Sequence, residues 1–297
     1  MDDQKPESAT SRRVVAGAHG SDAFKVGDLT DRKKHRIDPF GIFLPNRVVS
    51  VGTMRMIIAV EAAIALLVWF NSPFKILPQP GEVLHAFSRL WNNDGLGQEL
   101  ITSFKMNLEA LGWSALISVL LAYSTVLPVF RPIVVALSKG RFLSMIGFST
   151  VFTIMIGGGH YLKTSLLVYG ITVFFVTSMA SVIASIPKAD FDHARTLRMS
   201  EWRVVWEVVV LGTADKAFEV LRQNAAMGWM MLAMVEGIVK SEGGVGTLLI
   251  AQDKYFHLAE VFAIQIVILI VGLSQDAVIG LIRHAVCPYA DLTLERK

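Results

Sequence analysis

The sequence predicts an all-α polytopic membrane protein, on the grounds of its composition and the grouping of its apolar residues. Of the 297 residues, 53% are hydrophobic and 18% are charged, and the mean hydropathy is +0.51. A soluble domain usually carries about 25% charged residues. The apolar residues also form runs of the roughly 20 residues that a helix needs to cross a bilayer. The composition therefore excludes an ordinary soluble domain.

Six apolar runs predict about six membrane-spanning helices. They cover residues 51–70, 108–127, 142–158, 165–186, 217–239 and 262–282. Residues 1–50 are polar and lack the apolar core of a signal peptide, which predicts a disordered tail. The transmembrane domain is expected over residues 51–283, followed by a short C-terminal tail over residues 284–297.

The distribution of lysine and arginine predicts the orientation, because cytoplasmic loops are enriched in them. With the N-terminus inside, the cytoplasmic segments hold far more Lys and Arg than the outer segments. Both termini and the segment 187–212 are then expected in the cytoplasm of a multi-pass protein of the cell inner (plasma) membrane.

The remaining composition excludes several kinds of site. The single cysteine, Cys287, leaves no internal disulfide and no multi-cysteine metal site. A net charge of +3 gives no reason to expect nucleic acid as a partner. No cofactor is expected, and membrane lipid is the expected surrounding.

The cytoplasmic segment 187–212 combines charges with two tryptophans. Pro187 and the acids after it suit a helix start, and Ser200 before Glu201 suits an N-cap. The pattern predicts a helix over residues 188–197, a turn at 198–200 and an amphipathic helix over 201–209. Trp202 and Trp206, four residues apart, are expected to turn back toward the membrane domain or lipid. The pattern alone leaves two interpretations open: an interfacial linker whose arginines contact anionic lipid, or a docking surface for a cytoplasmic protein.

The order DHARTLRMSEWRVVWEVVVLG resembles the EAA loop of ABC importer permeases, in the nitrate/sulfonate/taurine branch of the binding-protein-dependent inner-membrane components. Asp192 stands where that loop has its Glu, Ala194 where it has its second Ala, and Leu211 where it has its Leu.

Three positions depart from this pattern. His193 replaces the first Ala, Arg198 replaces the turn Gly, and Gly212 replaces the final Pro. If the turn requires a positive φ, Arg198 adopts it at a cost of about 1 kcal/mol.

Other fragments resemble the same family in the expected order over residues 76–283. LPQPGEVLHAF resembles the Pro-Ser-Pro motif before the second span, GRFLSMIGFSTVFTIMIGGGHYLK the third-span signature, and GGVGTLL the Gly-x-Gly external loop. LRQNAAMGWMMLAMVEG keeps the fifth-span Arg, Trp and Glu at Arg222, Trp229 and Glu236, and Asp276 matches an acid in the last span.

The resemblance implies a type I ABC importer permease without catalytic residues of its own. It implies three protein partners: an ABC ATPase subunit that hydrolyses ATP, an extracytoplasmic solute-binding protein, and a second permease subunit, commonly an identical copy. The solute is expected to be small and anionic or zwitterionic, such as a sulfonate, nitrate or taurine. The residues that contact the ATPase are expected to be Asp192, His193, Ala194, Arg195, Leu197, Arg198, Met199, Ser200 and Glu201.

Four residues of the last two spans are candidates for the translocation path or for intramembrane charge pairing: Arg222, Trp229, Glu236 and Asp276. Counting 1.5 Å per residue from the cytoplasmic ends of these spans puts Arg222 and Asp276 at similar depths, so we predict an ion pair between them.

Two other functions stay open on the sequence. A self-sufficient transporter or channel would need no ATPase, but the inverted repeat of short broken spans typical of secondary carriers is not visible. A membrane-embedded enzyme would use paired histidines and carboxylates on facing spans, and no predicted span holds a histidine.

Overall fold

A computed structural model of the chain describes residues 51–71 and 77–288, and the regular elements in these residues are all helical. The chain divides into two units, Met1–Ala65 and Leu66–Lys297. The long helices are α1 (Val51–Phe70), α3 (Leu96–Ser124), α6 (His160–Ala184), α9 (Ala214–Ile238) and α11 (Leu258–Val286). The shorter ones are α2 (Pro80–Asn92), α4 (Arg131–Lys139), α5 (Met145–Ile156), α7 (Lys188–Thr196), α8 (Glu201–Val204) and α10 (Val245–Lys254). A π-helix covers Val205–Leu211, and single 3₁₀ turns cover Pro128–Phe130, Gly140–Phe142 and Lys240–Glu242.

Four helices are long and apolar enough to cross a membrane. They are Gly52–Phe70, Leu96–Ser124, His160–Ala184 and Leu258–Val286. The predicted class of all-α membrane protein is confirmed at this level. Compared with the predicted spans, α3 begins at Leu96 rather than Leu108, and α11 extends beyond both predicted ends.

The predicted third and fifth spans differ from the structure. The third is wrong in length, because α5 has 12 residues and is about 18 Å long, whereas the hydrocarbon core is about 30 Å thick. Gly157 and Gly159, with φ of 91° and 83°, end this helix and turn the chain into α6. The fifth is a 25-residue helix, α9, but its polar and charged residues together make it less apolar than the other four.

The core of the second unit lies between α3, α6, α9 and α11. Met106 and Ala110 of α3, Leu167 of α6, Leu232 of α9 and Ile279 of α11 are buried in one cluster. Gly228 lets α9 approach α3 closely, since a Cβ there would lie 2.7 Å from Asn107 Oδ1. Small residues at such crossings are typical of helices packed in membranes.

Candidate functional site

The segment between α6 and α9 forms a helix, a turn and a second helix. Helix α7 (Lys188–Thr196) begins after Pro187 and confirms the predicted helix to within one residue at its C-terminal end. It ends in two backbone hydrogen bonds: Arg198 N donates to Arg195 O at 2.9 Å, and Met199 N donates to Ala194 O at 3.4 Å. These are the two bonds of a Schellman motif, in which the residue after the C-cap adopts a left-handed conformation.

Arg198 occupies the left-handed position of this turn, with φ of 55°. Glycine is the residue that adopts this conformation without steric cost, whereas other L-residues lose about 1 kcal/mol. The importer loop that this segment resembles has a glycine at this position. The conditional expectation of a positive φ at Arg198 is therefore confirmed.

The second helix is longer than predicted and changes type. Four α-helical residues, Glu201–Val204, continue into the π-helix Val205–Leu211, and Gly212 N donates to Glu207 O at 3.0 Å, five residues back. Position 212 requires a glycine for a steric reason, because a Cβ there would collide with the carbonyl oxygen of Val208. π-Helical turns are rare and occur frequently at functional sites.

The π-helix decides which side chains face the bundle. Val204 and Val209 are both buried, and they are five residues apart, which is the hydrogen-bond spacing of a π-helix. Trp202 and Trp206 are 72% and 57% exposed. The prediction that the tryptophans pack against the membrane domain is wrong for the described helices, because the valines take that face. Contact of the tryptophans with lipid stays a prediction.

An ion pair joins the two helices across the turn. Arg195 Nε donates to Glu201 Oε1 at 3.1 Å, and Arg195 Nη2 donates to Glu201 Oε2 at 3.2 Å. The hydrogen bond and the positive charge of Arg195 lower the pKa of Glu201 below its ordinary value, and the same contact raises the pKa of Arg195. The pair is exposed, so water screens it.

The expected ATPase-contacting residues thus form one surface. Seven of them are exposed, while Ala194 is buried and Met199 is half-buried. A pocket of about 360 Å³ opens beside the turn, between α7 and the π-helix, and its lining includes Asp190, His193, Leu197 and Met199.

A tyrosine ties this segment to the bundle. Tyr123, in the last turn of α3, has its hydroxyl 3.2 Å from Thr213 Oγ1 and donates to Val210 O at 3.4 Å. Thr213 is buried. The hydroxyl therefore joins the end of the second helix to the last turn of α3. Sequence reasoning missed Tyr123, since nothing in the local pattern links it to a segment 87 residues away.

The predicted ion pair in the last two long helices is confirmed. Arg222 Nε and Nη2 donate to the two carboxylate oxygens of Asp276 at 2.5 and 2.9 Å. Glu219 Oε2 lies 3.7 Å from Arg222 Nη1 and 3.3 Å from Arg283 Nη1. These contacts extend the pair into a chain of four alternating charges, Asp276, Arg222, Glu219 and Arg283. Both side chains of the central pair are more than one-third exposed.

Trp229, one of the four intramembrane candidates, lies in the core. It is 6% exposed, and its indole Nε1 donates to Gln275 Oε1 at 2.8 Å. Asn107 Nδ2 donates to the same oxygen at 3.2 Å. Trp229 therefore connects α9 to α11, and through Gln275 to α3. It also lines an open cavity of about 490 Å³ together with Asp276, another of the four candidates.

Glu236 is fully buried at the other end of α9. Its two carboxylate oxygens accept from Ser103 Oγ at 2.6 Å and from Gly246 N at 2.7 Å, and Val245 N donates to Ser103 Oγ at 2.8 Å. The loop GGVGTLL is thereby fastened to α3 and α9. Its glycines are required, because a Cβ on Gly244 would overlap the Glu236 carboxylate.

Two further charged residues hold the same loop. Lys163, also fully buried, donates from Nζ to Gly243 O at 2.8 Å, and Gly244 N donates to Glu99. We refer to Glu99, Ser103, Lys163, Glu236 and residues 243–246 as the loop-anchoring network. Sequence reasoning missed Glu99, Ser103 and Lys163, because they bind backbone groups that are at least 80 residues away along the chain.

No protein-family model matches the chain, and no curated protein matches it in sequence.

The geometry separates three places with different chemistry. The turn at Arg198 is exposed and lies beside an open pocket. The pair Arg222–Asp276 is a partly exposed ion pair between α9 and α11. The loop-anchoring network is a closed structural unit. Within the described ranges, residues 51–71 and 77–288, no group of three or more His, Cys, Asp or Glu side chains is arranged to hold a metal ion.

Proposed function

We propose that this chain is the transmembrane permease subunit of an ATP-driven ABC importer for a small anionic or zwitterionic solute such as a sulfonate, nitrate or taurine. ATP is hydrolysed on a separate subunit, an extracytoplasmic binding protein delivers the solute, and two permease copies enclose the path. The observation that carries the proposal is the turn between α7 and α8. There Arg198 adopts the positive φ that the glycine of the importer loop would supply.

The shape of the segment supports a coupling role. Leu197 and Arg198 project from the turn and are exposed, and the pocket beside them is open. The Arg195–Glu201 pair links α7 to α8 on the exposed side of the turn. Tyr123 joins the second helix to α3 on the side of the bundle. A rigid element with a fixed connection to a spanning helix is what mechanical coupling requires.

In this proposal the bundle has the type I arrangement of six spans, with both termini cytoplasmic in the inner membrane. The four apolar helices supply four of the spans. Helix α9 supplies another, because Arg222 is paired with Asp276 and Glu236 is hydrogen-bonded inside the bundle, as polar groups at membrane depth usually are. Helix α5, which is too short to span alone, completes the set as a partial span packed on α6.

The partly exposed pair Arg222–Asp276 supports a second copy and a polar path. Charged groups at membrane depth face the bundle interior or water rather than lipid. Because both side chains are partly open on the single chain, the face that carries them is expected to line the path between two copies.

The test is whether an ABC ATPase co-purifies with the chain in mild detergent. We expect it to co-purify with the wild type and to be lost from Leu197→Asp, since an acid replaces an exposed apolar contact in the turn. Leu143→Asp, at another exposed leucine outside the segment, is the matched control and should retain the ATPase.

Uptake into vesicles gives a second measurement. Leu197→Asp together with Met199→Asp should abolish solute uptake while the chain still inserts into the membrane. Uptake by the purified chain without any ATPase would overturn the proposal and favour a self-sufficient transporter.

A further inference from the structure

A cavity of about 470 Å³ lies at the end of the bundle where α3 and α6 both finish. Its walls come from the C-terminal end of α3, from α4, from the last turns of α6, from α7 and from the π-helix. The described lining is apolar apart from Thr125 and Arg131, and we refer to it as the Arg131 cavity. All of its residues belong to the second unit, Leu66–Lys297. A mostly apolar lining with a few polar groups, at several hundred Å³, is typical of a binding site.

Arg131 is the single ionisable residue of this lining, and it is exposed. Its Nε donates to Thr125 O at 3.1 Å, which fixes the guanidinium at the end of α3. Within residues 51–71 and 77–288 it forms no ion pair, and its two Nη atoms donate to no acceptor. A guanidinium carries five N–H donors, and its planar fork matches the oxygens of a phosphate group. Arg131 is therefore free to bind an anion at the cavity.

Helix α4 and the 3₁₀ turn before it present apolar side chains to their surroundings. Val129, Ile133 and Val135 are 74%, 51% and 55% exposed, and Val135 also lines the cavity. Basic residues stand at the two ends of α4, Arg131 at the first position and Lys139 at the last. A short helix with exposed apolar side chains and basic residues is typical of a segment that lies in the membrane interface. In the proposed orientation this interface is the cytoplasmic one.

We propose that the Arg131 cavity binds an anionic phospholipid of the cytoplasmic leaflet, with the phosphate on the guanidinium of Arg131 and one acyl chain along the apolar lining. A free phosphate ion would leave the apolar lining without a partner. A zwitterionic lipid would bring a second positive charge close to Arg131. Basic pockets between membrane helices on the cytoplasmic side are suited to anionic headgroups, because the guanidinium and the headgroup carry opposite charges.

The lipid contacts the segment 187–212 and the bundle together. Phe191 of α7 and Val209 of the π-helix line the cavity along with Val135 of α4 and Ile183 of α6. An acyl chain in the cavity fills the space between these elements, so binding stabilises the attachment of the segment to the bundle. The lipid thereby regulates the coupling segment, a role that rests on the proposed function, whereas the binding itself needs no ATPase.

Native mass spectrometry of the purified full chain in detergent tests the charge contact. The probes are phosphatidylglycerol and phosphatidylcholine with the same acyl chains. We expect tighter binding of phosphatidylglycerol, and an affinity for it that falls about fivefold in Arg131→Gln. Arg141→Gln is the matched control, because Arg141 is also exposed and follows α4 but does not line the cavity. Equal affinity of the wild type for the two lipids, or equal losses in the two variants, would refute the lipid site.

Inorganic phosphate distinguishes a lipid from a free anion. Added at millimolar concentration, it should leave the bound phosphatidylglycerol in place, because it makes no contact with the apolar lining. Displacement of the lipid by phosphate would show that the site recognises a free anion, contrary to the proposal.

A bulky side chain tests the apolar part of the cavity without a change of charge. Ala184 is exposed and lines the cavity, so the indole of Ala184→Trp should take the place of the acyl chain and lower the affinity for both lipids. Ala136→Trp, at an exposed alanine of α4 outside the lining, is the control and should bind like the wild type. Equal affinities in these two variants would show that the acyl chain does not lie in the cavity.

Hydrogen exchange tests the effect of the lipid on the segment. Phosphatidylglycerol should slow the exchange of backbone amides in residues 188–211 of the wild type and have a clearly smaller effect in Arg131→Gln. Unchanged exchange in the wild type with lipid bound would contradict the stabilising role. Loss of the lipid preference with a co-purifying ATPase would contradict the lipid site alone, and lipid binding without a co-purifying ATPase would contradict the proposed function alone.

Discussion

The two ends of helix α9 hold their charged side chains in opposite ways. At one end Arg222 is paired with Asp276, and both side chains are partly exposed. At the other end Glu236 is fully buried, and the groups that contact its carboxylate are a serine hydroxyl and a backbone N–H. A partly exposed ion pair tolerates the loss of one partner because water can replace it. A closed network has no such replacement, so each member is needed.

The largest effect is therefore expected at the closed end. Glu236→Ala removes the acceptor of Ser103 Oγ and of Gly246 N. Breaking a buried charged network usually costs about 3–5 kcal/mol. We expect a loss of this order in the free energy of unfolding in detergent, together with release of the loop at residues 243–246, measured as faster hydrogen exchange there.

Ser103→Ala is the sharper version of this test. It removes one neutral donor and keeps the charge, so we expect a smaller loss of about 1–3 kcal/mol, the cost of an unsatisfied buried group. If both variants unfold like the wild type, the network is not a closed structural unit.

The free energy of unfolding should be less sensitive to a change in the partly exposed pair Arg222–Asp276. Asp276→Asn is expected to lower the free energy of unfolding by about 1 kcal/mol, since partly exposed ion pairs contribute little. A double-mutant cycle with Arg222→Gln isolates the pair energy, and the coupling should be clearly smaller than the loss for Glu236→Ala. A coupling as large as that loss would mean that the pair is shielded from water and lipid alike.

A single-residue change tests the turn at Arg198. Arg198→Gly should raise the free energy of unfolding by about 1 kcal/mol, because glycine adopts a positive φ without the steric cost. Thr196→Gly, within α7, is the control and should lower it by about the helix-propensity difference. A destabilising Arg198→Gly would indicate that the position does not adopt the left-handed conformation.

The smallest effect is expected from pH at the same turn. The pKa of Glu201 is lowered by Arg195, so the contribution of this pair is fully present above pH of about 4.5, the ordinary glutamate value, and is lost as the pH falls through the lowered pKa. Glu201→Gln should remove this part of the acid dependence of stability. Identical pH profiles for the variant and the wild type would show that the pair does not contribute.

Local sequence patterns predicted what depends on local physics. Apolar runs located most of the helices, and Pro187 with the acids after it located the start of α7. Matching depths on antiparallel helices predicted the Arg222–Asp276 pair, since two opposite charges in apolar segments have few alternatives. The third span was predicted too long because hydropathy continues through Gly157 and Gly158, where the backbone in fact turns.

By itself, the sequence determined that the chain is an all-helical membrane protein with an exposed charged helix–turn–helix between two of its long helices. Only the tertiary structure decided the rest. It assigned the buried face of the second helix to Val204 and Val209 rather than the tryptophans, because a π-helix changes the repeat. It also brought Ser103, Lys163 and the loop at 243–246 around Glu236. Those contacts join distant backbone and side-chain groups, and hydrogen bonds of that kind leave no periodic signal along the chain.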